Sequence, residues 1–260
     1  MISNMSIIMM LFTTLVSLAL PIILIVVMRV KYNASLKSFF IGAAAFFIAV
    51  QCIEVPINYY FLVGNKSTSS IITGNAILFM IYGGFMAGIF EETARYICFK
   101  FILKKERRIQ DAISYGIGHG GIEAILLVGI TYLANTIVSI MINLGTPLEN
   151  GLELASAQLS SVESYMFAIA GVERLSTIII QIGLSIIVFN SVKYGKKKYY
   201  FLAILIHALI DFPAVLAQKG VINIVTVESI IILVAIAFIV FIIKEIKKNK
   251  EDLTISLTNN

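Results

Sequence analysis

The sequence predicts an all-α fold, a polytopic bundle of about seven transmembrane helices. Three observations predict it. Of 260 residues, 59% are hydrophobic and 13% are charged, where an ordinary soluble domain has ~25% charged residues. Apolar stretches recur from Ile7 to Ile243, separated by short polar breaks. Each is long enough, at about 1.5 Å per residue, to cross a hydrocarbon core of about 30 Å. Third, the cationic residues gather in alternate breaks. A mean hydropathy of +0.94 leaves too much apolar surface for one soluble core. A soluble enzyme, a disordered or fibrous chain and a nucleic-acid-binding domain are disfavoured, and no nucleic-acid partner is expected. The ~10-residue alternation of an outer-membrane barrel is missing from the sequence.

The predicted spans run, in order, over 5–28, 38–63, 71–99, 112–142, 162–191, 199–217 and 221–243. Span one has no basic residues ahead of it and is too long for a cleaved leader, so it is read as a retained helix. Arg29, Lys31 and Lys37 separate spans one and two. Lys100, Lys104, Lys105, Arg107 and Arg108 separate three and four. Lys193, Lys196, Lys197 and Lys198 separate five and six. Lys244, Lys247, Lys248 and Lys250 follow span seven. These are sixteen of the twenty Lys and Arg, against Lys66 and Lys219 in the other breaks. Basic breaks stay cytoplasmic. The expected orientation is therefore N-terminus outside and C-terminus in the cytoplasm of a multi-pass cell-membrane protein. The expected longest outer loop, about 143–161, carries Glu149 and Glu153. Residues 1–243 read as one multi-pass domain with a core at about 71–217, and 244–260 as a polar cytoplasmic tail. Cys52 and Cys98 both fall inside spans and are not expected to pair.

An ionisable group at mid-bilayer costs roughly 2.5–3.5 kcal/mol on insertion scales, so intramembrane polar residues mark function. Span three carries Glu91, Glu92 and Arg95; span four, His119 and Glu123; span five, Glu173, Arg174 and Gln181; span six, His207 and Asp211. Span two has Glu54, and span seven Glu228. The chain's two histidines each precede a carboxylate by four residues, which is one face of a helix. Counted from the basic breaks, Glu92, His119 and His207 share one depth, roughly 12–14 Å inside the cytoplasmic border at 1.5 Å per residue. Glu173 and Arg174 sit nearer the outer side, either as interhelical partners or at the edge of a site. Gly84 and Gly88 read equally as helix packing or as thin cavity walls. Gly116, Gly118, Gly120 and Gly121 surround His119, and four glycines in six residues suggest a loosened helix there.

Two histidines with carboxylates can hold a divalent metal such as zinc, leaving a position open for water. A carboxylate beside a histidine can also act as general base without metal. Both routes activate water for hydrolysis. Arg95, one turn from Glu91 and Glu92, can keep one of them charged. Neither HExxH nor GxSxG occurs in the sequence. From the residues alone, hydrolysis and an intramembrane proton relay stand level.

The motifs Phe90-Glu91-Glu92-Thr93-Ala94-Arg95, Tyr115 to Ala124 around His119, Glu173-Arg174, and His207-Ala208-Leu209-Ile210-Asp211 resemble the YhfC-type intramembrane metalloproteases. That family looks like a branch of the superfamily of CAAX prenyl endopeptidases and bacteriocin-processing membrane proteins. The resemblance implies that Glu91 and Glu92 supply the base. It implies that His119, His207 and Asp211 hold the water or a metal and meet the oxyanion, with Tyr115, Arg95, Glu123 and Glu173 supporting. The arginine comes one residue earlier than in the CAAX form, which leaves open which glutamate is the base. Asp211 stands where the prenyl-protease branch has Asn, and its extra negative charge favours a bound cation.

The expected activity is therefore that of a peptidase, metal-assisted or metal-free. It would open toward the cytoplasm and cleave a membrane-anchored protein or peptide among the lipids. A proton-coupled transporter and a non-catalytic immunity or sensor protein on the same scaffold are the alternatives.

Overall fold

The computed structural model of the chain describes residues 1–146 and 152–249. Glu149 and Lys250 lie outside the described residues, as does the rest of the tail.

Seven helices among the described residues are long and apolar enough to cross a membrane: α1 Asn4–Tyr32, α2 Leu36–Gly64, α4 Ala76–Ile102, α5 Ile109–Asn143, α7 Ser164–Lys193, α8 Lys198–Gln218 and α9 Ile224–Lys248. The protein is a multi-pass helical membrane protein. Two short helices stand between them, α3 Lys66–Thr73 and α6 Leu152–Ser161. The latter occupies part of the segment expected to be a loop. The last helix continues through Lys244 and Lys247 to Lys248.

Local chemistry fixes the helix starts. Ser3, Ser35, Asn65, Asn75 and Asn223 cap α1, α2, α3, α4 and α9 through their side chains. Each satisfies backbone N–H groups that have no partner within the helix. Pro56 cannot donate to a carbonyl of the preceding turn. The helix around it widens into π-helical turns at Phe47–Glu54 and Tyr60–Gly64. Such turns are frequent at functional sites, and these flank Glu54 and Asn58.

Most of the α7 span is buried, against a third or less of every other span. It is the central rod, packed by α1, α5, α8 and α9, with α4 pairing closely with α8 and α2 with α5. Successive spans alternate in direction, so the Lys/Arg clusters of the breaks meet at one end of the bundle. Arg108 donates to Asn33 O and to Asp111, and Asp111 accepts from Ser35 N, tying α1, α2 and α5 together at that basic end. At the other end Asn143 exchanges two 2.8 Å hydrogen bonds with the backbone of Ile2.

The expectation of a loosened helix around His119 is corrected. The glycine-rich turn is regular α-helix, and the π-helical turn comes later, at Ile125–Gly129. The reason is packing. A Cβ at Gly118 would lie 1.9 Å from Phe39 O, and one at Gly42 would lie 2.2 Å from Tyr115 O. These glycines let α2 and α5 touch backbone to backbone beside His119, the close approach that small residues allow in membranes. Gly84 and Gly88 do the same between α4 and α8, against Ala208 O and Ile204 O. Gly42→Ala and Gly118→Ala should each destabilise by about 1–3 kcal/mol through overpacking. Gly64→Ala meets nothing nearer than 3.7 Å and should cost no more than about 0.5 kcal/mol. Thermal unfolding of the purified variants in one detergent checks both.

Candidate active site

Four helices bring the intramembrane polar residues together. The deepest element is an ion pair. Arg95 Nη1 donates to both Glu92 oxygens, at 2.5 and 2.7 Å, and Arg95 Nη2 donates to Gln181 Oε1 at 2.5 Å. Arg95 and Glu92 are fully buried. A carboxylate and a guanidinium one turn apart on α4 thus satisfy each other where water is excluded, and α7 supplies the third partner.

From this pair the network spreads to both histidines. His207 Nδ1, on α8, donates to Glu92 Oε1 at 2.7 Å. This turns its Nε2 toward Asp211 Oδ2 at 3.5 Å and Glu91 Oε2 at 3.9 Å. Glu91 Oε2 also accepts from His119 Nε2 at 2.8 Å and from Gln181 Nε2 at 3.1 Å. Gln181 Nε2 reaches Glu123 Oε2 at 2.9 Å. Arg174 Nη1 donates to Glu123 Oε1 at 3.2 Å, while its Nη2 pairs with Glu173. Tyr115 is fully buried one turn from His119, its ring stacked at 6.1 Å on the imidazole.

Helical spacing predicts His119 beside Glu123. In the structure their direct partners differ: His119 bonds Glu91, Glu123 bonds Arg174, and Gln181 bridges the two carboxylates. Arg95 pairs with Glu92 and not with Glu91. Glu173 and Arg174 are consecutive on α7 and share no helical face, yet their side chains meet. Gln181, which the sequence marks only as an intramembrane polar residue, joins Arg95, Glu91 and Glu123. Sequence reasoning does not pick out Asn58 and Tyr82. Asn58 follows Glu54 by four residues, a signal present in the sequence, and donates to Glu54 Oε1 at 3.1 Å; Tyr82 donates to Asn58 at 2.8 Å.

A cavity of about 270 Å³ lies against this network. Glu91, His207, Asp211, Gln181, Arg174 and Glu54 line it, whereas Glu92 and His119 stand behind its wall. A second space of about 350 Å³ shares Ala87, Glu173, Arg174, Asp211 and Ala214 with the first and continues to Asn58, Leu62, Phe79, Tyr82 and Gln218. Those last residues lie toward the ends of α2, α4 and α8 remote from the Lys/Arg clusters. On the basic side, Phe99, Tyr115 and Phe189 form a buried aromatic layer. The second space thus extends toward the end opposite the Lys/Arg clusters and not toward the basic end that the sequence reading expects.

The donor chemistry fits a divalent ion: two imidazoles and two carboxylates, with His207 oriented through its other nitrogen by Glu92, as metal-binding histidines are. Glu91 bonds directly to His119, and among the described residues no three His, Cys, Asp or Glu side chains gather as a complete ligand set. The kinds of ligand match, while their spacing is that of a hydrogen-bonded network.

Fold and site together define a multi-pass membrane protein with a buried histidine and carboxylate centre. The family described as YhfC intramembrane metalloprotease matches residues 16–248, and the chain belongs to that family. It is 38% identical over 238 residues to the uncharacterized membrane protein YhfC of Bacillus subtilis (strain 168), covering 88% of this chain and 92% of that protein. No solved structure matches.

Removing Arg95 alone would strand the Glu92 charge. Arg95→Met should destabilise by about 3–5 kcal/mol, as breaking buried pairs does. The double change Arg95→Met with Glu92→Met should recover much of the loss. Thermal unfolding of the two variants beside the parent tests this.

Proposed function

We propose that the protein is an intramembrane peptidase that hydrolyses a membrane-anchored protein or peptide, with Glu91 as its general base. One observation carries the reading. Of two adjacent glutamates, Glu92 is held by Arg95 behind the wall, while Glu91 faces the cavity between two imidazoles. Glu91 takes a proton from a water in the cavity, and the oxygen of that water attacks the scissile carbonyl. Without a metal, His207 acts as the imidazolium: its Nδ1–H is held by Glu92 and its Nε2–H donates a hydrogen bond to the oxyanion that develops. The proton held by Glu91 then passes to the leaving amine, so protons balance over the cycle. His119 and Gln181 are positioning residues that hold the Glu91 carboxylate.

His119, His207 and Asp211 would hold a divalent ion, zinc being suited to such ligands; in that form His119 Nε2 would serve the ion in place of its hydrogen bond to Glu91. When bound, it supplies Lewis-acid polarisation of the carbonyl, and the His207 nitrogen then serves as ligand instead of donor. The family name and the donor set support this metal-assisted form.

Glu91→Gln should lower cleavage of a labelled single-span peptide in proteoliposomes by about 10²–10⁴-fold, the usual contribution of a positioned base, with unfolding temperature retained. Full activity in that variant overturns the assignment. Elemental analysis of the purified protein should find close to one zinc per chain, and His119→Ala should lose most of it. Equal metal content in both would remove His119 from the ligand set.

A further inference from the structure

The carboxylates that line the cavity are not equally satisfied. Glu91 is engaged by His119 and Gln181, and Glu123 and Glu173 by Arg174. Asp211 faces His207. Glu54 differs: its Oε1 accepts from Asn58, but its buried Oε2 has no hydrogen-bond partner, and the residue is 7% exposed. It lines the same cavity as Glu91. A carboxylate oxygen left unpaired in a bilayer-spanning bundle is costly unless a proton or a cation reaches it. Among the described residues Arg174 is the one arginine or lysine in that lining, and it already serves two other carboxylates.

The adjoining space gives a cation a route. Its walls at Leu62, Phe79 and Val215 are apolar, and it ends near the exposed Gln218. An alkyl stem can lie along apolar walls while its charged head seeks a polar site. The hydrogen-bonded neighbours of Glu54 are Asn58 and, through it, Tyr82, while the imidazole and carboxylates that share its cavity, His207, Glu91 and Asp211, face one another.

We propose that Glu54 is a binding subsite for the protonated amine of a lysine side chain on the substrate, reached from the end of the bundle opposite the Lys/Arg clusters. The charge asymmetry assigns that end to the extracytoplasmic face. The identity of the amine carrier as a peptide rests on the peptidase reading, but the site and its access do not.

The test uses the full chain with Cys52→Ala and Cys98→Ala as background and Ala214→Cys as reporter, since Ala214 lines both spaces. Membrane-impermeant methanethiosulfonates, one cationic and one anionic, should label the reporter in intact cells and not in inverted vesicles. The cationic reagent should react about tenfold faster, as a focused negative potential enriches cations. Glu54→Gln should bring the two rates together and Glu54→Asp should keep them apart. In liposomes of phosphatidylglycerol and phosphatidylcholine, which carry no primary amine, N-acetyl-lysine methylamide should slow labelling and its norleucine counterpart should not. That comparison needs no Glu54 variant to fold. Labelling confined to inverted vesicles, equal rates for both reagents, or equal protection by both amides overturns the proposal. Protection that appears only when phosphatidylethanolamine is added would give the subsite to lipid and also overturns it. Labelling requires no turnover, so failure here and failure of the peptidase reading are separate results.

Discussion

The site depends on burying one guanidinium in the middle of an apolar bundle. Arg95 is fully buried on α4, cut off from the solvent that would spread its charge. It must therefore be met by fixed partners: Glu92 from its own helix and Gln181 from the central helix α7. Each of these partners has a second obligation. Glu92 orients His207 on α8, and Gln181 orients Glu91 and reaches Glu123 on α5. The arginine thus sets the register of four helices at one depth, and the candidate site follows from that register.

The same constraint divides the work between consecutive glutamates. Neighbouring residues on a helix point about 100° apart. Once Glu92 is turned toward Arg95 and the bundle interior, Glu91 is carried around to the cavity. Two identical side chains acquire different surroundings from helical geometry alone. One becomes a fixed acceptor, and the other is left facing the space that a substrate would enter.

The spans and their number were legible because hydropathy and charge are properties of single segments. The polar residues of the site were also legible, since each intramembrane ionisable group stands out against an apolar background: His119 and His207 needed no neighbour to be noticed. What could not be read was pairing between helices. Glu91 and Arg95 at four residues look as good as Glu92 and Arg95 at three, and the choice is made with Gln181, ninety positions from Glu91 in the chain. The glycines around His119 misled for a similar reason. Composition suggested a loose helix, while the packing partners that make it tight, Phe39 and Pro21, lie on α2 and α1. The cavity's direction was illegible because residues of several helices line it, and no single segment carries it.

Charge links the two ends of the cavity. Around the network, six carboxyl groups, Glu54, Glu91, Glu92, Glu123, Glu173 and Asp211, stand against two guanidinium groups, Arg95 and Arg174. A low-dielectric interior does not tolerate such an excess without protons or cations to offset it. The surplus is greatest at two places: beside the imidazoles, where Glu91 and Asp211 face His207, and at Glu54, where Oε2 has no protein donor. The first place has nitrogen and oxygen donors and suits a metal ion; the second has a lone carboxylate beside an apolar passage and suits an organic ammonium. A peptidase of this architecture would then keep one cation beside its base and receive the second with each substrate, so that the negative surplus of the site is offset most fully when substrate is bound.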